Sequence, residues 1–324
     1  MSGLRWRALI IAIVPLISAG CGLIPRGVRV PQLLTPLSHA TLDDLIARTN
    51  DWQRLTTFTA RISIQVQTEN SESGLARLYP SADGRLILAR PQNMRLLIQA
   101  PLVKTKIADM ATDGEKFQVI VYPEKYRMIL QGTNRNDYSA LSRAPISDPT
   151  WKEVGGFRNM RPQHFSEAFL IEPIEPRPQL VPVLEETRQI EEDRPPGQKR
   201  RLVVRSYYVI SLIEVQGNRG TIRRKIWFDR TRGLLLARQE IFGESGEIIS
   251  DIRYDNYAVD ATSQMLVPIA VRITRPYDHY SARIEIDQST IVVNGDVATT
   301  AFHLEKPPEW EEPVKVIDLD KRRP

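Results

Sequence analysis

The stretch FTARISIQVQ, residues 58–67, puts an apolar side chain at every even position and a polar or charged one, or a threonine, at every odd position. Successive side chains of an extended chain point to opposite faces, so this period of two predicts a strand with one face on a core and one in water. Downstream, strands are expected at 84–90, 93–100, 105–112, 116–122 and 125–131, parted by Asp83-Gly84, Pro91-Gln92-Asn93, Asp113-Gly114 and Pro123-Glu124. Connections this short imply antiparallel neighbours. Alternation resumes near Arg201, passes turns at 217–220, 229–233 and 243–246, and ends with strands at 267–275, 281–287 and 298–304. Upstream, Thr41 with Asp44 makes a capping-box start, and Leu42, Leu45, Ile46, Trp52 and Leu55 recur at helical spacing, which predicts an amphipathic helix over 41–55. The expected fold is mainly β, a strongly curved antiparallel sheet or incomplete barrel with an N-terminal helix. Its inner face must be filled by side chains, a helix or a ligand.

Around this domain, assigned to 38–306, the chain changes character. Arg5 and Arg7 precede an apolar run from Ala8 to Ala19. The run is too short for a spanning helix, which needs roughly 20 residues, so residues 1–20 read as an export signal. Ser18-Ala19-Gly20 leads into Cys21, the only cysteine. This resembles a bacterial lipobox, with Ser18 where Leu is commonest, and implies a lipidated Cys21 and a protein held on a membrane by acyl chains. Gly22 after the cysteine, by resemblance to lipoprotein sorting rules, implies the outer membrane, with the domain facing the periplasm. Residues 21–37, with Pro25, Pro31 and Pro36, read as a tether, 137–200 as an insertion and 307–324 as a polar, Pro-rich tail. Within the insertion Pro162, Phe165, Ala168 and Phe169 suggest a short helix, and 173–199 a Pro- and Glu-rich loop.

Composition narrows the function classes. The formal charge is +5 and 26% of residues are charged, close to an average soluble domain and not the profile of a nucleic-acid binder. The clusters Lys199-Arg200-Arg201, Arg223-Arg224-Lys225 and Lys321-Arg322-Arg323 read as solvated faces, with contact to anionic head groups at a membrane surface as the alternative. His39, His164, His279 and His303 lie far apart without metal-ligand spacing, and Gly243-Glu244-Ser245-Gly246 reads as a hairpin turn and not a nucleophile elbow. No catalytic or metal-binding constellation is legible in these spacings, so the expectation is that the protein is not an enzyme; the alternative is an envelope enzyme whose carboxylates meet only in the fold. One position breaks turn chemistry: in IQAPLVKTKI, residues 98–107, the connection after Pro101 carries Leu102 and Val103 where polar residues belong.

Taken together, the helix ending in Trp52, the strand from Phe58 to Val66, Asp83-Gly84-Arg85 before a strand, and MRLLIQAPLVKTKI at 94–107 resemble the LolA/LolB family of lipoprotein carriers and receptors. LVPIAVRITRPYDHYSARIEIDQSTIVVN at 266–294 and FHLEKP at 302–307 are similar to its closing segments. The 137–200 stretch and the tail have no counterpart there. The resemblance implies a half-barrel that shelters acyl chains of lipoproteins, or another lipid, against an apolar inner face. In this chain that face would comprise Phe58, Ile62, Ile64, Val66, Leu96, Ile98, Phe117, Val119, Phe228, Ile284 and Ile286. It also implies that Leu102, with Val103, enters a bilayer during delivery, and that a periplasmic carrier protein supplies the cargo. A LolA-like envelope sensor or scaffold, docking a protein partner through 137–200, is the alternative.

Overall fold

The structure is a computed structural model that describes residues 30–69, 76–136, 138, 159–193, 197–311 and 313–321. Compact contacts divide the chain into two units, one of residues up to Leu34 with 189–204, the other of 35–188 with 205–324. In the smaller unit β1 (Gln32–Leu33) runs parallel to Val203 and Val204, and Arg201 bridges to Asp193 at 3.0 Å. Apart from the strand residues within 189–204, everything below concerns the larger unit.

Its leading helix α1 (Leu42–Asp51) starts where the sequence places it. Thr41 Oγ1 accepts the Asp44 N–H at 3.2 Å and the Asp44 carboxylate takes the Thr41 N–H at 2.8 Å, a complete capping box. A 3₁₀ turn (Trp52–Arg54) carries the chain into β2 (Thr57–Glu69). There follow β3 (Ala76–Leu78), β4 (Ala82–Ala89), β5 (Asn93–Gln99), β6 (Lys106–Thr112), β7 (Lys116–Val121) and β8 (Met128–Thr133). A second helix, α2 (Pro162–Phe169), precedes β9 (Leu180–Asp193), β10 (Arg201–Gln216), β11 (Arg219–Asp229), β12 (Leu235–Phe242), β13 (Ile248–Val259), β14 (Leu266–Arg275) and β15 (Tyr280–Ile286). The short β16 (Val292–Val293) and β17 (Val316–Asp318) complete the set.

The pairings order the curved sheet as β9-β10-β11-β12-β13-β14-β15-β2-β4-β5-β6-β7-β8-β17. All joins are antiparallel except β8 with β17, and among the described residues no pairing links β9 to β17, so the sheet stays open. Strand β2 is its centre: Ile62, Ile64 and Val66 stand opposite Ile286, Ile284 and Ala282 of β15, while Ile62 faces Gly84 of β4. A Cβ at Gly84 would lie 2.8 Å from the Leu97 carbonyl oxygen, so glycine permits this close approach.

Three stretches differ from expectation. Residues 298–304 form a 3₁₀ turn (Thr299–Phe302) and not a strand, with the Ala301 carbonyl accepting from Arg95 at 3.2 Å. Within 173–199, expected as loop, 180–193 is strand β9. Its edge position explains how: the Val215 N–H donates to Gln179 O at 2.7 Å, so by strand alternation the missing N–H of Pro182 turns away from β10 and breaks no bond. In the stretch from 307, Trp310, Ile317 and Leu319 are buried and β17 extends the sheet.

Candidate functional site

The inner face of the sheet is continuous and apolar. Phe58, Ile62, Ile64 and Val66 of β2, Leu96 and Ile98 of β5, Phe117 and Val119 of β7, Phe228 of β11, and Ile284 and Ile286 of β15 are all buried in one cluster. What packs into the hollow is α2. Proline at its first turn, Phe165, Ala168 and Phe169 form its buried face, and Phe169 stacks on Phe58 at 6.2 Å between ring centroids. A fully buried Phe contributes about 1.5–3 kcal/mol by area alone, so this eight-residue helix is held chiefly by tertiary contact.

Polar contacts secure α2 along its length. Near its N-terminus, Tyr280 Oη and His164 Nδ1 are hydrogen-bonded at 2.6 Å, and the Asp278 carboxylate sits 2.9 Å from Arg275 Nε, 3.7 Å from Arg161 and 3.7 Å from His164 Nε2. All of these side chains are buried. Burial, and then the charges of Arg275 and Arg161, push the His164 imidazole well below its ordinary pKa, so it is neutral here. At the C-terminal end the Tyr254 hydroxyl donates to Ala168 O at 2.7 Å, and Arg224, whose pKa burial pulls down to about 10, donates to Glu172 O at 2.8 Å. Arg90 reaches Ile171 O at 3.1 Å.

Two recesses flank this plug at opposite strand ends. One, of about 190 Å³, is walled by Ile64, Val66, Tyr79, Ile98, Pro101 and Ile107. That is below the roughly 300–1,000 Å³ of ordinary ligand pockets, so as it stands the recess is too small for a long alkyl chain. The other, of about 830 Å³, lies under α1 on a floor of Phe228, Leu234, Leu236 and Met265, with Asp44, Arg48, Asp51 and Arg54 along its margin.

Beside the smaller recess stands the turn singled out in the sequence. Leu102 and Lys104 adopt left-handed φ values of 66° and 55°, a conformation costly for a bulky residue. The turn is nonetheless tied: Lys104 N–H donates to Ala100 O at 3.1 Å, Gln99 Nε2 to Lys104 O at 3.1 Å, and Lys104 pairs with Asp83. Leu102 is 94% and Val103 74% exposed, so neither folds back onto the core. Cys21, the signal and residues 139–158 of the 137–200 stretch lie outside the described residues. Of the basic clusters, Arg223 and Lys225 pair with Glu214 and Glu185, whereas Arg224 is buried. Among the described residues no group of three His, Cys, Asp or Glu side chains is placed to hold a metal, and no helix is long and apolar enough to cross a membrane. The role of α2 and the α1 groove were not read from the sequence. The apolar run at 160, 165, 168, 169 and 171 was the available signal for the former, while the groove joins residues more than 200 positions apart.

Fold and site together define a mainly β protein with one open, curved sheet and a helix-filled apolar concavity. No protein-family model matches the chain, and no curated protein does. Among solved structures it is similar to a DUF1329 family protein from Desulfovibrio piger (9% identity, TM-score 0.46, covering 80% of this chain and 95% of that one). It is likewise similar to the LolA superfamily protein NE2245 from Nitrosomonas europaea (11%, TM-score 0.42, 82% and 99%). A third is a candidate outer membrane lipoprotein-sorting protein domain from Vibrio parahaemolyticus (9%, TM-score 0.38, 80% and 94%). Overlap at this level assigns no ligand.

Proposed function

We propose that this protein is a lipid-anchored envelope lipoprotein that binds acyl chains of lipoproteins, or another lipid, in the concavity and assists their transfer to or insertion into the outer membrane. The observation that carries the reading is the filling of the hollow: an apolar inner face is covered by one short helix whose phenyl rings occupy the space alkyl chains would take. Each methylene moved from water into that face contributes about 0.8 kcal/mol, and the chain leaves when a bilayer offers an equal environment next door. Acylated Cys21 anchors the domain facing the periplasm, a periplasmic carrier protein brings the cargo, and Leu102 with Val103 meets the bilayer at delivery. The chemistry is binding and release, with no catalytic step or cofactor. The direct test is titration of the full-length Cys21→Ala chain, which escapes acylation, with a fluorescent acylated peptide. Saturable binding that the unacylated peptide does not compete supports the reading; no saturable binding ends it.

A second reading, a sensor or scaffold that docks a protein partner through 137–200, is favoured by β9. Among the described residues no strand pairs with its outer edge, and Val181 and Val183 are each 42% exposed, an arrangement that invites strand addition. Val183→Lys should then abolish partner capture and leave acyl-peptide binding unchanged.

A further inference from the structure

Three connections meet at one end of the strands: 76–81 before β4, 100–105 between β5 and β6, and 122–127 between β7 and β8. Tyr79, Pro101 and Ile107 share the wall of the 190 Å³ recess, and Tyr122 N–H donates to Ile107 O at 3.0 Å, so the three are contiguous. The first carries Tyr79 and the third Tyr122 and Tyr126, each with a cation against its ring: Arg77 lies 5.0 Å from the Tyr79 centroid, Lys106 5.1 Å from Tyr122 and Lys125 5.3 Å from Tyr126. Arg127 covers Trp310 at 5.2 Å. Between them project Leu78, Leu102 and Val103, exposed by 61%, 94% and 74%. With Lys104, which pairs with Asp83, the rim holds five cations; Glu124 lies in the third connection and Glu309 close enough to Tyr122 to raise its pKa.

We infer that this rim is a docking surface for a bilayer leaflet bearing anionic phospholipid headgroups, with Tyr79, Tyr122 and Tyr126 at headgroup level and Arg77, Lys106, Lys125 and Arg127 on the phosphates. The inference rests on the proposed delivery role of Leu102 and enlarges it from one residue to a lipid-selective surface. Tyrosine is amphipathic and settles at a membrane–water boundary, while Lys and Arg extend an apolar stem and keep the charge among the headgroups. Apolar side chains that protrude singly from separate loops, with cations between them, suit a soft apolar medium. A protein partner would have to supply a matching pocket for each. Every basic residue near an anionic leaflet raises partitioning roughly fivefold, so removing three lowers it by roughly a hundredfold.

The test is sedimentation of the chain from residue 21 on, carrying Cys21→Ala so that neither acyl chains nor the basic, apolar segment 1–20 binds the vesicles, with phosphatidylcholine vesicles, with and without phosphatidylglycerol, against a Lys106→Ala/Lys125→Ala/Arg127→Ala variant. The expected result is binding that requires phosphatidylglycerol, weakens with salt and falls by about the estimated factor in the variant. Equal binding to both vesicle types, or a variant that binds anionic vesicles as the parent does, overturns the inference. That includes the case in which these side chains serve an acidic protein. Acyl-peptide titration in vesicle-free buffer separates the two proposals, because the rim variant should bind peptide normally and thereby also report an intact fold. Loss of peptide binding by the parent removes the carrier reading and leaves the vesicle result to stand by itself.

Discussion

If α2 stands in for cargo, weakening its seat should strengthen cargo binding. Phe165 is fully buried on the face of α2 that meets the sheet, and truncating such a ring to alanine costs about 3–5 kcal/mol. Where that loss falls on the docked helix and not on the sheet, it subtracts from the work of displacing α2. Each 1.4 kcal/mol is tenfold, so the ceiling on the gain in acyl-peptide affinity is roughly two to three and a half orders of magnitude. Partial re-collapse around the site, and loss shared with global stability, lower the observed gain. The assay pairs titration of Phe165→Ala, in the full-length Cys21→Ala background, with amide hydrogen exchange across 162–169, where protection should fall while that of β2 and β15 persists. Reduced stability with unchanged or weaker peptide affinity would refute displacement of α2, and a chain that still bound would have to lie in the groove under α1.

Acid should loosen the same contact. His164 is held neutral with its pKa well below the ordinary 6.5. Below that value the unfolded or undocked chain takes up a proton that the docked state refuses. Stability is then full above about pH 6.5 and falls by up to ~1.4 kcal/mol per pH unit as pH drops toward the native pKa; urea melts should show this, and His164→Gln should flatten the slope. Asp278→Ala strips Arg275 of its 2.9 Å partner and should cost about 3–5 kcal/mol in the same melts. Leu102→Gly relieves a left-handed leucine and should melt at or above the parent temperature while losing delivery in a vesicle transfer assay; full transfer would remove Leu102 from the mechanism. Gly84→Ala drives a methyl against the Leu97 carbonyl and should destabilise by about 1–3 kcal/mol in denaturant melts.

Period-two alternation made β2 and most of its neighbours legible, because water on one face and core on the other leave a local mark on every second residue. The capping box at Thr41 and Asp44 announced α1 for the same kind of reason, a bond between residues three apart. Even Leu102 was visible as an apolar residue in a turn, although its exposure and backbone conformation were not. Strand β9 escaped notice because Pro182 and a run of glutamates mimic a loop, and only an edge position makes the proline harmless. The seat of α2 lay further out of reach: His164 with Tyr280, Arg224 with Glu172 and Phe169 with Phe58 join residues 116, 52 and 111 positions apart. Sequence periodicity settled which face of each strand is apolar, since that depends on alternation alone. Whether the hollow stands open or is filled depended on where a distant eight-residue helix could satisfy its polar groups, and that is a property of the folded chain.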